Sequence, residues 1–349
     1  MPKTQEPGVE PYVIEDVEFP SADGGHTLSG TFTTPRGDGP FPAAVLVSGS
    51  GPQDRDETVF GHKPFRVLAD HLTKAGIAVL RFDDRGVGRS TGVFATATSH
   101  DFADDVGSAV DFLATKADSA NLSTVGLIGH SEGGLIAPMV AVARGDVAFI
   151  VLLAGPGLPG RDVLLGQQEA ISRSNGVSEE TIEQRLARSR ELYEIVGNTP
   201  DPERLEELAG PIVRLSFDDL SNEEKVAAGL DTPEAIEAAA KATTEGLKSA
   251  WLQTFLKHDP REALKLVQIP VLVIAGDKDT QVLAEPNTDA IRAALLDGSN
   301  PDSTICILPG LNHLFQNAET GAPGEYATGG EVFASPTLDT ITRWILDRS

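Results

Sequence analysis

Hydrophobic residues recur along the chain in short runs with the spacing of β-strands. Residues 13–19 and 27–33 alternate between apolar and polar positions and are joined through the turn sequence Asp23-Gly24-Gly25. This alternation predicts an antiparallel hairpin. From residue 41 onward the runs are shorter and almost continuously apolar, and they lie at 43–47, 78–82, 125–128, 148–153, 271–275 and 303–308. Because helical segments separate them, these runs predict a mostly parallel, twisted sheet flanked by helices.

A long segment between the fourth and fifth of these parallel runs has no strand-like pattern. Residues 156–260 are rich in Glu, Ala, Arg and Leu at helical spacing, for example at 181–192 and 233–250. Such spacing predicts helices. We therefore expect residues 1–155 and 261–349 to form one α/β core, with antiparallel strands at about 12–34. Residues 156–260 are expected to form a helical cap inserted over the C-terminal edge of the sheet.

Composition narrows the range of partners. The 349-residue chain has a formal net charge of −24, so its mean field repels phosphate backbones and anionic lipid headgroups. We expect no nucleic-acid partner, and no membrane span, because no apolar run approaches the roughly 18 residues of a spanning helix. The N-terminus lacks the apolar core of a signal peptide and Cys306 is the single cysteine, which favours a cytoplasmic protein. An exported form with its leader removed, and the oligomeric state, stay open.

The sequence Gly-His-Ser-Glu-Gly at 129–133 matches the G-x-S-x-G pattern of a nucleophile elbow. An apolar run at 125–128 precedes it and a helix-forming run at 135–143 follows it, which is the strand-turn-helix context that an elbow requires. The small residues on either side permit a turn tight enough to lift the hydroxyl of Ser131 above the sheet. A second match at 88–92 has no apolar helix after it. We therefore predict that Ser131 is the nucleophile and that Ser90 lies in a loop.

A serine hydroxyl needs a base to take its proton, and the base needs a carboxylate to fix its tautomer. Both are expected after Ser131 in the chain, at the C-terminal ends of late strands. His313 follows such a strand, and both Asp277 and Asp279 follow the run at 271–275. Because an Asp directly after Gly is common in turns, we assign Asp277 to the turn and Asp279 to the triad. The predicted catalytic residues are Ser131, Asp279 and His313.

The predicted oxyanion hole consists of backbone amides aimed at the developing alkoxide. One donor is expected to be the amide of Glu132, at the start of the helix after the nucleophile. The other is expected from the Gly-rich segment 48–52, where we favour Ser50 over Gly51. Four aromatic residues are candidates for an acyl pocket, although core packing explains each of them equally well. They are Trp251, Phe255, Phe315 and Tyr326.

The motifs at 48–56, 84–90, 129–134 and 308–316 resemble those of the α/β-hydrolase superfamily. More narrowly, the chain is similar to bacterial carboxylesterases of the serine aminopeptidase-like or prolyl-oligopeptidase-like group, from about residue 13 to its end. The resemblance implies hydrolysis of short acyl esters without a metal or organic cofactor, with Ser131, Asp279 and His313 at the triad positions. The chain departs from it at Ser48, where many relatives have His, and at Leu283, where Pro is frequent.

Other functions fit the same motifs. A peptidase, a thioesterase or a lactonase would use the same triad, because acyl-transfer chemistry does not identify the leaving group. A binding protein on an inactive hydrolase fold belongs to another class. Such proteins usually lack a triad residue, whereas here all three stand in the expected order. We therefore expect a serine carboxylesterase that acts on small-molecule esters.

Overall fold

The structure, a computed structural model, describes residues 11–218, 220, 222–230, 232–327 and 332–349. The strands of its central sheet are β1 (Tyr12–Pro20), β2 (Thr27–Pro35), β3 (Phe41–Val47), β4 (Ala78–Phe82), β5 (Ala120–His130), β6 (Phe149–Leu153), β7 (Val271–Gly276) and β8 (Ser303–Leu308). Across the sheet they follow the order β1-β2-β4-β3-β5-β6-β7-β8. Each predicted apolar run therefore coincides with a strand. One edge of the sheet holds the C-terminal ends of the parallel strands β3, β5, β6, β7 and β8.

Pairing within the sheet is antiparallel at one side and parallel across the rest. β1 pairs with β2 and β2 with β4 in the antiparallel sense. The pairs β3–β4, β3–β5, β5–β6, β6–β7 and β7–β8 are all parallel. The predicted fold class, a mostly parallel sheet flanked by helices, is confirmed.

The helices fall into those that flank the sheet and those that lie between β6 and β7. In chain order they are α1 (Pro64–Lys74), α2 (Ser99–Ala114), α3 (Glu132–Ala143), α4 (Gly160–Ser174), α5 (Glu179–Asn198), α6 (Pro202–Asp218), α7 (Asn222–Ala227), α8 (Pro233–Leu247), α9 (Ala250–Lys257), α10 (Pro260–Leu264), α11 (Ala284–Asp297) and α12 (Ser335–Leu346). Helices α4 to α9 lie within residues 156–260, where the sequence predicted an insertion, and we call this segment the helical insertion.

Two hydrophobic clusters bury the two faces of the sheet. Because successive side chains of a strand point to opposite faces, Val45 and Val47 of β3 pack with α2, α3 and α11, whereas Ala44 and Leu46 pack with α1 and α12. The helical insertion has a third cluster of its own, formed by residues of α5, α6, α8 and α9. Phe255 of α9 joins the first cluster instead, so α9 attaches the insertion to the core beside the C-terminal edge of the sheet.

Candidate active site

Ser131 lies on a sharp turn between β5 and α3. Its φ of 52° and ψ of −118° fall outside the regions that residues with a side chain normally occupy. The turn depends on the glycines two positions away: a Cβ at Gly129 would lie 2.0 Å from the carbonyl oxygen of Gly133, and one at Gly133 would lie 2.1 Å from that of Val47. The pattern G-x-S-x-G is therefore a steric requirement of this backbone.

The second G-x-S-x-G match has a different environment. Ser90 is buried, its hydroxyl donates to the carbonyl oxygen of Asp83 at 2.7 Å, and it accepts from the amide of Ser29 at 2.9 Å. The contact with Asp83 closes the loop after β4 on itself, and the contact with Ser29 ties that loop to β2. Ser90 therefore lies in a loop, as predicted, and its hydroxyl is occupied there.

The structure brings Asp279 and His313 together at the ends of β7 and β8. Oδ2 of Asp279 lies 2.8 Å from Nδ1 of His313, and both side chains are buried. The other carboxylate oxygen, Oδ1, accepts from the amides of Gln281 at 2.7 Å and Val282 at 2.9 Å. The carboxylate is thus fixed in rotation, and it holds the Nδ1 proton of the imidazole in place.

Asp277 contacts the neighbouring turn instead. Its Oδ1 accepts from the amide of Gly310 at 2.6 Å, and this contact is exposed. It joins the loop after β7 to the loop after β8, which is the structural role that the sequence assigned to it.

Ser131 and His313 open into one cavity of about 480 Å³. Its walls are mostly apolar and come from both the sheet edge and the helical insertion. The residues that line it are Gly49, Ser50, Gln53, Glu57, Val59, Phe60, His130, Ser131, Glu132, Pro156, Val163, Leu164, Gln167, Trp251, Phe255, Gln281, Val282, His313, Leu314, Pro323 and Tyr326. Of the predicted pocket residues, Trp251, Phe255 and Tyr326 are therefore in place, and the rings of Trp251 and Phe255 stack at 5.0 Å.

Phe315 is a correction to the predicted pocket. Its side chain does not line the cavity, its φ is 58°, and it is 0% exposed. Its ring stacks on Phe333 at 5.4 Å and lies 6.2 Å from the ring of His130. Phe315 belongs to the core behind the site.

The segment 48–52 after β3, which we call the oxyanion loop after the role predicted for it, approaches Ser131 closely. A Cβ at Gly49 would lie 3.1 Å from the Cβ of Ser131. Within the described part of the chain, Ser50 lines the cavity whereas Gly51 does not. The amide of Gly49 is engaged, since it donates to Glu57 at 2.7 Å. Of the two predicted donors in this loop, Ser50 is therefore the one that borders the cavity.

The sequence matches the model of the family described as serine aminopeptidase, S33, over residues 63–319. The chain belongs to this family. It is 28% identical over 320 residues to Esterase EstD of Thermotoga maritima, and the match covers 91% of this chain and 65% of EstD. The chain thus spans slightly less than two thirds of the length of that relative.

Solved structures share the architecture of this serine aminopeptidase family member. An esterase of Pyrococcus furiosus superimposes with a TM-score of 0.57 and 17% identity over 97% of this chain and 91% of that one. The α/β hydrolase GrgF from Penicillium sp. sh18 gives a TM-score of 0.55 and 17% identity over 96% and 97%. At such low identity the likeness shows the fold, which is the α/β-hydrolase fold.

The carboxylate of Glu132 is a feature that the sequence analysis missed. The side chain is buried, and its Oε1 accepts from the hydroxyl of Ser99 at 2.6 Å and from Nε1 of Trp251 at 2.8 Å. Glu132 therefore links the elbow at Ser131 to α9 of the insertion. Its place directly after Ser131 was visible in the sequence, but its partners are 33 and 119 residues away.

Glu57 was also missed. It is buried, and its Oε1 accepts from the amide of Gly49 at 2.7 Å and lies 2.9 Å from Nδ1 of His130. Nε2 of His130 in turn lies 2.9 Å from the carbonyl oxygen of His313. A second acid–histidine pair thus lies behind the first, and no sequence motif signals it.

Ser48, at which the chain departs from the resemblance, anchors the oxyanion loop. Its hydroxyl donates to Oδ1 of Asp84 at 2.8 Å, while the amide of Gln53 donates to Oδ2 at 2.9 Å. Burial raises the pKa of Asp84 to about 7, although these two hydrogen bonds lower it. The side chain of Ser48 therefore fixes the oxyanion loop to the buried Asp84.

Two arrangements of residues are absent from the ranges that the structure describes. No group of three or more His, Cys, Asp or Glu residues there is arranged to hold a metal ion. None of the helices found in those ranges combines the length and apolarity needed to cross a bilayer.

Proposed function

We propose that this protein is a serine hydrolase that cleaves carboxylic esters, with short acyl chains preferred, through an acyl-enzyme on Ser131. One observation carries the proposal. His313, which is hydrogen-bonded to Asp279 at 2.8 Å, lines the same cavity as Ser131, whose backbone is strained. Membership of the serine aminopeptidase family and the 28% identity to an esterase support it.

The pair Asp279–His313 supplies the general base. Because Nδ1–H of the imidazole is held by Asp279, the free nitrogen Nε2 carries the lone pair that takes the hydroxyl proton of Ser131. The serine oxygen then attacks the ester carbonyl, and the imidazolium returns the proton to the leaving alcohol. The carboxylate stabilises that imidazolium, since both groups are buried.

The oxyanion is proposed to be bound by the amides of Glu132 and Ser50, with Gly51 as the alternative to Ser50. The amide of Glu132 is at the first position of α3, where the positive end of the helix dipole favours negative charge. Ser50 lies on the loop that approaches Ser131 closely. Water hydrolyses the acyl-enzyme through the same groups in reverse order.

The helical insertion, residues 156–260, is proposed to act as a cap that sets substrate size. Val163, Leu164, Trp251 and Phe255 belong to this segment and line the cavity. A volume of about 480 Å³ is near the lower end of ligand pockets, which favours small acyl and alcohol groups. The apolar walls exclude water from the acyl group and strengthen the electrostatic interactions inside.

A peptidase is the second candidate, because the carboxylate of Glu132 lines the cavity while no lysine or arginine in the described ranges does so. This charge favours neutral or cationic substrates and disfavours anionic ones. Thioesters and lactones would share the ester chemistry.

A substrate panel separates these candidates. Activated esters of increasing acyl length are compared with aminoacyl arylamides and thioesters, using the unmodified protein and Ser131→Ala. We expect the highest kcat/KM on esters of short acyl chains, and a loss of about 10³-fold or more in the variant. Faster cleavage of aminoacyl arylamides than of esters would favour the peptidase, and a fully active Ser131→Ala would contradict both.

A further inference from the structure

We propose that Glu57 and His130 form a buried carboxylate–imidazolium pair in which His130 keeps both ring protons at neutral pH and positions the catalytic base and the oxyanion loop. The inference deepens the proposed function, on which it rests for the role of His313. The protonation of His130 is inferred from its own contacts and from the charges around it, independently of that role.

Both ring nitrogens of His130 face hydrogen-bond acceptors. Nδ1 lies 2.9 Å from Oε1 of Glu57, and Nε2 lies 2.9 Å from the carbonyl oxygen of His313. The carbonyl oxygen has no proton to donate, and Oε1 already accepts from the amide of Gly49 at 2.7 Å. A neutral imidazole donates from one nitrogen and accepts at the other. With Glu57 ionised, only the imidazolium satisfies both contacts.

The charges around His130 favour the imidazolium. Burial lowers the pKa of this ring, but the charge of Glu57 and the hydrogen bonds to Glu57 and to the carbonyl of His313 outweigh burial, so the pKa is raised. Asp279, on the loop after β7, adds to the negative field, while the ring of His313 lies 4.8 Å away and is neutral when it acts as the base. Asp84 faces Glu57 and adds further negative charge when ionised.

Glu57 is held in a conformation that needs compensation. Its φ of 51° lies in the left-handed region, which residues with a Cβ rarely adopt, and its carboxylate is buried. Oε2 has no hydrogen-bond partner among the described residues. A strained, buried carboxylate is retained where a partner of opposite charge stabilises it. His130 is that partner.

The pair connects three parts of the site. Through Glu57 it fixes the amide of Gly49 in the oxyanion loop, and through its own backbone His130 is the neighbour of Ser131. Through Nε2 it fixes the carbonyl of His313, and therefore the backbone of the base. Losing a proton from His130 would remove one of these contacts and leave a buried acceptor unpaired, which displaces a catalytic group.

The competing arrangement is neutral. A protonated Glu57 would donate to Nδ1 of a neutral His130, whose Nε2–H would donate to the carbonyl of His313. This arrangement has one protonated ring nitrogen on His130 instead of two, so a direct count of ring protons decides between the two.

Long-range ¹H–¹⁵N correlation spectra of protein labelled with ¹⁵N-histidine provide that count. At about pH 8 we expect one ring with both nitrogens protonated, since a free histidine is neutral there. Its signals should be lost in His130→Gln and kept in the control His71→Gln, a surface histidine 3.5 Å from Asp339. Absence of a doubly protonated ring in the unmodified protein would overturn the inference, and so would its persistence in His130→Gln.

The positioning role is tested by Glu57→Gln, which keeps the shape but removes the counter-charge of His130. The pKa of the buried imidazole should then fall into the assay range, so activity decreases as pH rises through it. We expect kcat to drop by about 10- to 100-fold with KM changed by less than about threefold. A pH profile of unchanged shape in Glu57→Gln would refute positioning.

The two hypotheses fail separately. If the unmodified protein hydrolyses no acyl substrate but shows the imidazolium at about pH 8, the proposed function fails and the ion pair stands. If it hydrolyses esters and shows no imidazolium, only the inference about His130 fails.

Discussion

Replacing Asp279 with Asn tests how the carboxylate sets the tautomer of His313. In the native chain Oδ1 accepts from the backbone amides of Gln281 and Val282, at 2.7 and 2.9 Å, and Oδ2 faces the imidazole at 2.8 Å. The Asp279→Asn side chain has only one oxygen. That oxygen can face either the two backbone amides or the imidazole, and the NH₂ group must face the other.

Energies decide which way the new amide turns. Pointing its NH₂ group at the two backbone amides would leave both donors unpaired, at about 1–3 kcal/mol each. The favoured orientation keeps the oxygen on those amides and directs NH₂ at Nδ1 of His313. Nδ1 must then accept, so the proton moves to Nε2, which can no longer take a proton from Ser131.

We expect Asp279→Asn to lower kcat by about 10⁴-fold, roughly 5.5 kcal/mol in the activation free energy, with KM little changed. The matched control is Asp277→Asn, two residues away, whose Oδ1 accepts from Gly310 in an exposed turn. It should change kcat by less than about threefold and cost roughly 1 kcal/mol of stability. Steady-state kinetics with an activated short-chain ester measures both. An Asp279→Asn variant that retains a tenth or more of native kcat would refute this reasoning. So would a control variant whose kcat falls as far as that of Asp279→Asn.

Three further predictions concern the insertion, the elbow and pH. Trp251→Phe keeps a ring but loses the hydrogen bond to the Glu132 carboxylate, so kcat/KM for bulky esters should fall about tenfold and that for acetate esters less than about threefold. Gly133→Ala should cost about 3 kcal/mol or more in urea denaturation, because its Cβ would lie 2.1 Å from a backbone oxygen, whereas Gly145→Ala, with nothing within 4 Å, should stay within about 1 kcal/mol. The pKa of Asp84 is raised to about 7, so the folded state holds its proton where the unfolded chain has lost it, and this group reduces stability as pH rises toward 7. The Tm deficit of Asp84→Asn should therefore shrink from about pH 5 to about pH 8; a deficit that grows would contradict the assignment.

The strands and the pairing of Asp279 with His313 were predictable because each depends on local sequence. A buried strand is a continuous apolar run, so β4 has the predicted bounds, Ala78–Phe82. The edge strand β8 is only partly buried, and it also has its predicted bounds, Ser303–Leu308. The strand β5 begins at Ala120, five residues before its apolar run, because pairing with β3 extends it through polar residues past an irregularity in the register. The choice of Asp279 over Asp277 needed only turn chemistry.

Side-chain direction and distant partners were not predictable. Phe315 follows His313 by two residues, yet its ring is buried in the core and stacks on Phe333. Glu57 is 73 residues from His130, and Glu132 is 119 residues from Trp251. Such contacts depend on how the loops and the helical insertion converge on the sheet edge, and no periodicity or short motif encodes that convergence.

Covalent labelling can identify which serine is the nucleophile. The protein is treated with a fluorophosphonate and digested, and the modified peptide is identified by mass spectrometry, with Ser131→Ala and Ser90→Ala as paired variants. Both serines stand in a G-x-S-x-G sequence, but the hydroxyl of Ser90 is buried and bonded to Asp83. We expect a single adduct on Ser131, unchanged in Ser90→Ala and lost in Ser131→Ala. An adduct on Ser90, or none on Ser131 in a protein that hydrolyses esters, would contradict this expectation.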